Sequence, residues 1–170
     1  MNYLFLVNIG PVQDFIAAAR QTRDLYCGSW LLSDLARTVA LQIVKKNELE
    51  SLIFPAPTEM NDLESATFNV ANKIVALIKQ SPQELAACIK EGIDDRLHEI
   101  RDTAYQKISP TIDREVADKQ IDDLIEFQWV ALPYDKHNQD QRYYKTRREQ
   151  LEALMAARKN TRNFQAVPWK

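Results

Sequence analysis

Lys73–Glu84, KIVALIKQSPQE, is the stretch whose reading decides the fold. Its unbroken IVALI run, Ile74 to Ile78, is too short for a free-standing helix, so the pattern predicts a strand over Lys73–Lys79. Ser81, Pro82, Gln83 and Glu84 then carry the signature of a capping box. In that arrangement serine and glutamate each satisfy an amide of the first helical turn, and proline takes the first helical position, where a missing N–H is no loss. A helix is therefore expected from Pro82 to Ile108, with Leu85, Ile89, Ile93, Leu97 and Ile100 on one face. Asp94, Asp95, Glu99 and Asp102 fall on its solvated side.

Upstream, Tyr3 to Ile9 form an apolar and aromatic run suited to a strand buried on both faces, which Gly10 and Pro11 break. Trp30 to Val44 repeat apolar residues at helical spacing, with Lys45, Lys46 and Asn47 at the exit. Leu52, Ile53 and Phe54 read as a short strand stopped by Pro55 and Pro57, followed by a polar loop through Glu59, Asp62 and Glu64. Downstream, Ser109 and Pro110 restart a shorter helix toward Leu124. Glu126 to Leu132 alternate as a strand that Pro133 ends. A last helix over Gln141–Lys159 places Tyr144, Leu151, Leu154 and Met155 on one side and bases on the other. The order is βαββαβ, an α+β ferredoxin-like plan with an extra C-terminal helix. It predicts one domain over residues 1–170, neighbouring first and third strands, and a mostly antiparallel sheet with helices on one face.

Ile9–Ser33 carries most of the functional information. After the turn at Gly10 and Pro11 the pattern is helical, and Cys27, Gly28 and Ser29 look like a stop and a restart. Gly28 is expected to end one helix in the left-handed conformation and Ser29 to cap the next. Such an elbow lies near the strand ends, where ligands bind in many sheets covered by helices. A plain capped junction without a ligand has the same residue types.

Two cysteines far apart, Cys27 and Cys88, suit a reduced cytoplasmic protein better than a disulfide framework. No stretch approaches membrane-spanning length, so no membrane association is expected. The net charge is only −2, but it is segregated. From Pro82 to Glu126 there are twelve acids and six bases, whereas from Arg142 to Lys170 there are eight bases and two acids. A polyanion should meet the C-terminal end. There AARKNTRNF offers Arg158, Lys159 and Arg162 for RNA or nucleotide phosphate, with Phe164 beside them. Cations at a helix end also favour their own carbonyls through the dipole, so a structural role is equally open.

With three glycines, Gly10, Gly28 and Gly92, the chain holds neither a Walker loop nor a dinucleotide fingerprint. His98 and His137 are not followed by aspartate and have no metal-ligand spacing around them. A two-metal nucleotidyl-transfer site needs carboxylates at strand ends, and the turn after the first strand offers Asn8 and Ile9 instead. No catalytic residue and no metal site is expected.

IGPVQDFIAAARQTRDLYCGSWLLSDLA, Ile9 to Ala36, closely resembles the opening of the palm-domain large subunit of type III CRISPR effector complexes, in its Cmr-type branch. NKIVALIKQSPQEL resembles that family's third strand and following helix, and EFQWVALP with AARKNTRNF its fourth strand and exit helix. The resemblance implies the first of two ferredoxin-like palms related to nucleotide cyclases. In that family target RNA switches on synthesis of cyclic oligoadenylates, from ATP with magnesium bound where the palms meet. The glycine-glycine-aspartate-aspartate motif belongs to the second palm and is missing here, as is a histidine-aspartate nuclease domain. Carried over by position, Gly28, Ser29 and Ser33 are the expected nucleotide contacts. The chain stops at Val167, Pro168, Trp169 and Lys170, where the family continues, and this implies a fragment or one half of a split subunit.

Three functions follow from these readings. The first is a non-catalytic half-site that helps form an ATP pocket beside a second palm. Another is a structural adaptor that docks effector subunits carrying crRNA and target RNA through its basic end. The third is a stand-alone cyclase or nuclease, against which the missing carboxylates argue.

Overall fold

A computed structural model describes residues 1–65, 68–107 and 112–161. Ile108, Ser109, Pro110, Arg162 and Phe164, named above, lie outside the described residues. Among the described residues four strands form one antiparallel sheet in the order β2-β3-β1-β4. They are β1 (Asn2–Gly10), β2 (Leu52–Phe54), β3 (Lys73–Ile78) and β4 (Glu126–Tyr134). Tyr3 faces Ile78 and Val7 faces Ile74 across β1 and β3, so the first and third strands are neighbours. This is the strand order of the ferredoxin-like βαββαβ plan.

Among the described residues six α-helices connect and cover the strands. They are α1 (Val12–Ala18), α2 (Thr22–Lys46), α3 (Met60–Glu64), α4 (Pro82–Tyr105), α5 (Arg114–Asp122) and α6 (Tyr143–Asn160). Side chains alternate across a strand, so β1 sends Phe5, Val7 and Ile9 to one face and Leu4 and Leu6 to the other. The first set packs with Leu35, Val39 and Ile43 of α2 and with Leu85, Ile89 and Ile93 of α4. The second packs with Val75 of β3 and with Leu151 and Met155 of α6.

The helices therefore cover both faces of the sheet, which corrects the expectation of one. The reason lies in β1 itself, whose two apolar faces each need cover. On α6 only Leu151 and Met155, four residues apart, are buried, whereas Leu154 is 42% exposed. Pro133 does not end β4 but pairs opposite Tyr3 within it. An edge strand tolerates a proline, whose missing N–H can fall on the unpaired side. The loop through Glu59, Asp62 and Glu64 holds the single turn of α3. Its capping box joins Glu59 and Asp62, and Asp62 also accepts from the Thr58 hydroxyl at 2.8 Å.

The largest departure is at Gly28. α2 runs unbroken through Cys27, Gly28 and Ser29, and no described glycine has a positive φ. The stop lies earlier, between Ala19 and Gln21, where Gln21 and Asp24 form the capping box that starts α2. A glycine inside a helix costs only about 1 kcal/mol against alanine. Here it is offset by a close approach: a Cβ on Gly28 would stand 3.2–3.3 Å from the Phe15 side chain of α1. Ser29 consequently caps nothing.

α2 and α4 are also clamped by charge. The Asp34 carboxylate, 3% exposed, is held by Arg37 one turn away and by Arg96 Nε of α4 at 2.7 Å. Arg37 Nη1 also donates to the Ser65 carbonyl at 2.7 Å. The bond to Asp34 is the main cause that raises the Arg96 pKa above its ordinary value.

Candidate functional site

Where β1 ends, α1, α2 and the segment of residues 69–72 enclose a cavity of about 700 Å³. Each wall has a local cause. α1 is brought close to α2 by Phe15 lying against the bare Cα of Gly28. The segment leading into β3 is pinned to the end of β1 by two bonds, Ile9 N–H to the Asn72 carbonyl at 2.8 Å and Asn72 Nδ2 to the Ile9 carbonyl at 3.1 Å. Its neighbour Val70 donates its N–H to Ser33 Oγ at 3.0 Å.

Gly28, Ser29 and Ser33, named from sequence, all line this cavity. Continuity of the helix keeps Ser29 and Ser33 one turn apart on one face. Their duties differ. Ser29 is exposed and has no hydrogen-bond partner among the described residues, so its hydroxyl is available to a ligand. Ser33 is half-buried and already holds Val70, so it serves the wall as well as the space.

Sequence reasoning missed the aromatic part of the site. Phe15, Tyr26 and Trp30 line the same cavity, and Tyr26 is 73% exposed at its rim. Tyr26 and Trp30 stand four residues apart on α2 beside the two serines, a spacing that becomes legible once the helix is continuous through Gly28. Asn69 and Asn72 carried no signal, because only the packing of the 69–72 segment brings them to α2. No charged side chain lines the cavity among the described residues. It is an apolar, aromatic space with a few hydroxyls and amides, in the size range of small-molecule sites.

The basic end is elsewhere. Arg158 and Lys159 lie in the last turn of α6, exposed, on the helix that covers the other face of the sheet. Neither has an ion-pair partner among the described residues, whereas Arg148 further up the helix is paired with Glu152 at 2.9 Å. Glu152 also accepts from Lys73 Nζ at 2.5 Å. Burial pushes the Glu152 carboxyl up, but the bonds from Lys73 and Arg148 outweigh it and hold its pKa below the ordinary value. Among the described residues no three His, Cys, Asp or Glu side chains converge as metal ligands. No described helix is long and apolar enough to cross a membrane.

Residues 4–102, which contain most of β1, the cavity segments of α1 and α2, and β3, match the family described as CRISPR-associated protein Cmr2, N-terminal. The chain belongs to this family. It is an N-terminal domain of the large subunit of type III CRISPR effectors, as the resemblance of Ile9–Ala36 implied. Two solved structures share the fold of this Cmr2 N-terminal domain. One, titled "Type III-B Cmr-beta Cryo-EM structure of the Apo state", is similar at a TM-score of 0.61 and 16% identity over 94% of this chain and 23% of that one. The other, "Crystal structure of Csm1-Csm4 cassette in complex with pppApApA", gives 0.53 and 13% over 95% of this chain and 19% of that one. The chain thus spans less than a quarter of the length of either. No curated protein matches it.

Proposed function

We propose that the cavity between α1 and α2 is one half of a nucleotide site in a type III CRISPR effector, completed by a second palm and serving synthesis of cyclic oligoadenylates. The observation that carries this reading is the convergence of Gly28, Ser29 and Ser33 on one uncharged, aromatic-rimmed space at the end of β1. Its chemistry favours the neutral part of ATP. Tyr26 and Trp30 offer ring faces to an adenine, and the free Ser29 hydroxyl offers a bond to base or ribose. Among the described residues no lysine, arginine or carboxylate lines it, so the triphosphate and its magnesium would be met by the partner palm. Alone the chain is a binding module without its own turnover.

Titration of ATP with magnesium against the chain plus a second palm tests this. Ser29→Ala removes no cap and no internal bond, so it should leave stability unchanged. One lost hydrogen bond of about 0.5–1.5 kcal/mol corresponds to about two- to tenfold weaker binding. Trp30→Ala should weaken binding further. Unchanged affinity in a folded Ser29→Ala/Trp30→Ala variant would refute the site.

A second reading rests on Arg158 and Lys159, exposed and unpaired at the far end of α6 among the described residues. With Arg162 they would dock effector subunits that carry crRNA and target RNA. Loss of assembly with those subunits in Arg158→Ala/Lys159→Ala, with ATP binding intact, would favour this adaptor role.

A further inference from the structure

We propose that the groove at the opposite end of β1, between the end of β4 and the start of α6, binds single-stranded nucleic acid. Tyr144, at the groove's margin against Tyr134, would supply stacking surface, and Arg147 in the lining, with Arg142 about one helical turn before it, would meet phosphates. The groove is separate from the cavity above. It opens at Asn2 whereas the cavity opens beyond Gly10, and nine strand residues put about 27 Å between them. It has a volume of about 350 Å³, with Asn2, Tyr134, Tyr143, Arg147 and the Asp135 carboxylate in its lining, and Tyr144, packed on Tyr134, stands at its margin.

Its rings are fixed rather than loose. Tyr134 packs tilted on Tyr143 with centroids 5.1 Å apart and edge-on to Tyr144 at 6.5 Å. The Tyr143 hydroxyl accepts from the Asp135 N–H at 3.1 Å and from Arg147 Nε at 3.3 Å. This holds the guanidinium over the Tyr143 ring, 5.4 Å from its centroid. Tyr144 remains 39% exposed. Fixed rings lose little freedom when a base stacks on them, and cations interleaved with ring faces are the chemistry of single-strand grooves.

The charges around the rings are unevenly committed. Residues 134–148 hold five cations, Lys136, Arg142, Lys145, Arg147 and Arg148, and two carboxylates, Asp135 and Asp140. Glu149 and Glu152 engage Lys145 and Arg148. Asp135 accepts from the His137 N–H at 2.9 Å and Asp140 from the Arg142 N–H at 2.9 Å, so both shape the turn. Arg142, Arg147 and Lys136 have no carboxylate partner among the described residues. An acidic protein segment would use these cations but has no use for the rings. A duplex keeps its bases stacked internally and would also leave the rings idle.

Fluorescence anisotropy of a labelled oligouridine 12-mer with the full 170-residue chain tests the proposal. Tyr144→Ala should weaken binding about fivefold or more, from a stacking contribution of about 1–3 kcal/mol per base. Tyr144→Phe should restore it. Arg142→Ala/Arg147→Ala should reduce the log–log salt slope by about 1.4, since each single-strand phosphate contact contributes about 0.7. Lys119→Ala on α5, a charge control, should leave affinity within about twofold. No binding of oligouridine at low salt, binding insensitive to Tyr144→Ala, or equal binding of a duplex would overturn the proposal. Competition by polyglutamate as effective as by unlabelled oligouridine would also overturn it and assign the groove to an acidic protein.

Discussion

The two faces of the sheet use the same ionic device at different depths. On the α2–α4 face one carboxylate, Asp34, sits between two arginines with its side chain 3% exposed. On the α6 face Glu152 sits between Lys73 and Arg148 with its side chain 35% exposed. Depth decides what each is worth. A buried carboxylate deprived of a partner keeps its full desolvation penalty, whereas water takes over most of that role at a rim. The deep triad also reaches the cavity. Arg37, which binds Asp34, donates to Ser65 and so tethers the chain just before the segment of residues 69–72 that forms one cavity wall. The α2–α4 face is thus the rigid frame of the site, and the α6 face is a smaller cover.

The largest effect should come from the deep triad. Arg37→Ala should lower unfolding free energy by about 3 kcal/mol in urea denaturation, the low end for a broken buried pair because Arg96 remains. It should also weaken ATP binding beside the second palm. A loss below about 1 kcal/mol would erase the contrast between the faces. Gly28→Leu probes the frame next. Its side chain must displace Phe15 and fill the cavity, so we expect roughly tenfold weaker ATP binding, about 1.4 kcal/mol, in a folded protein. Unchanged affinity would show that the α1–α2 contact does not shape the site.

Arg148→Ala should cost less than about 1 kcal/mol, and added salt should shrink the difference from wild type, as for other pairs near the surface. The smallest effect is on acid titration. Glu152 has a folded pKa below its unfolded one, so the stability it contributes is present above its unfolded pKa and is lost as pH falls through the folded one. The carbon NMR titration of its carboxyl should show a midpoint below that of a free glutamate. Lys73→Ala should move that midpoint upward, and no movement would mean that the rim pair is not formed in solution.

Local patterns made much of the fold readable. The runs Tyr3–Ile9, Lys73–Lys79 and Leu52–Phe54 lie where β1, β3 and β2 lie, because strand burial is written in consecutive residues. Ser81 caps α4, accepting from the Glu84 N–H at 3.4 Å, because a cap needs only four neighbouring residues, whereas the reciprocal bond from Glu84 that would complete the expected capping box is not formed among the described residues. Gly28 marks where this local reading fails. Its residue type allows a helix stop or a close contact, and only Phe15, thirteen residues upstream, selects the contact.

What the sequence by itself determined is the four strands, their order along the chain with the main covering helices, and the serines that share a helix face. These follow from periodicities of two and of about 3.6 residues and from capping chemistry, all confined to a turn or two. Tertiary structure alone decided which face α6 covers, that Asp34 meets Arg96 from 62 residues away, and that Ser33 meets Val70 from 37 residues away. It also decided that Tyr134 stacks on Tyr143 beside Arg147. Such meetings depend on how β1 distributes its two apolar faces between helices, and no window of neighbouring residues contains that information.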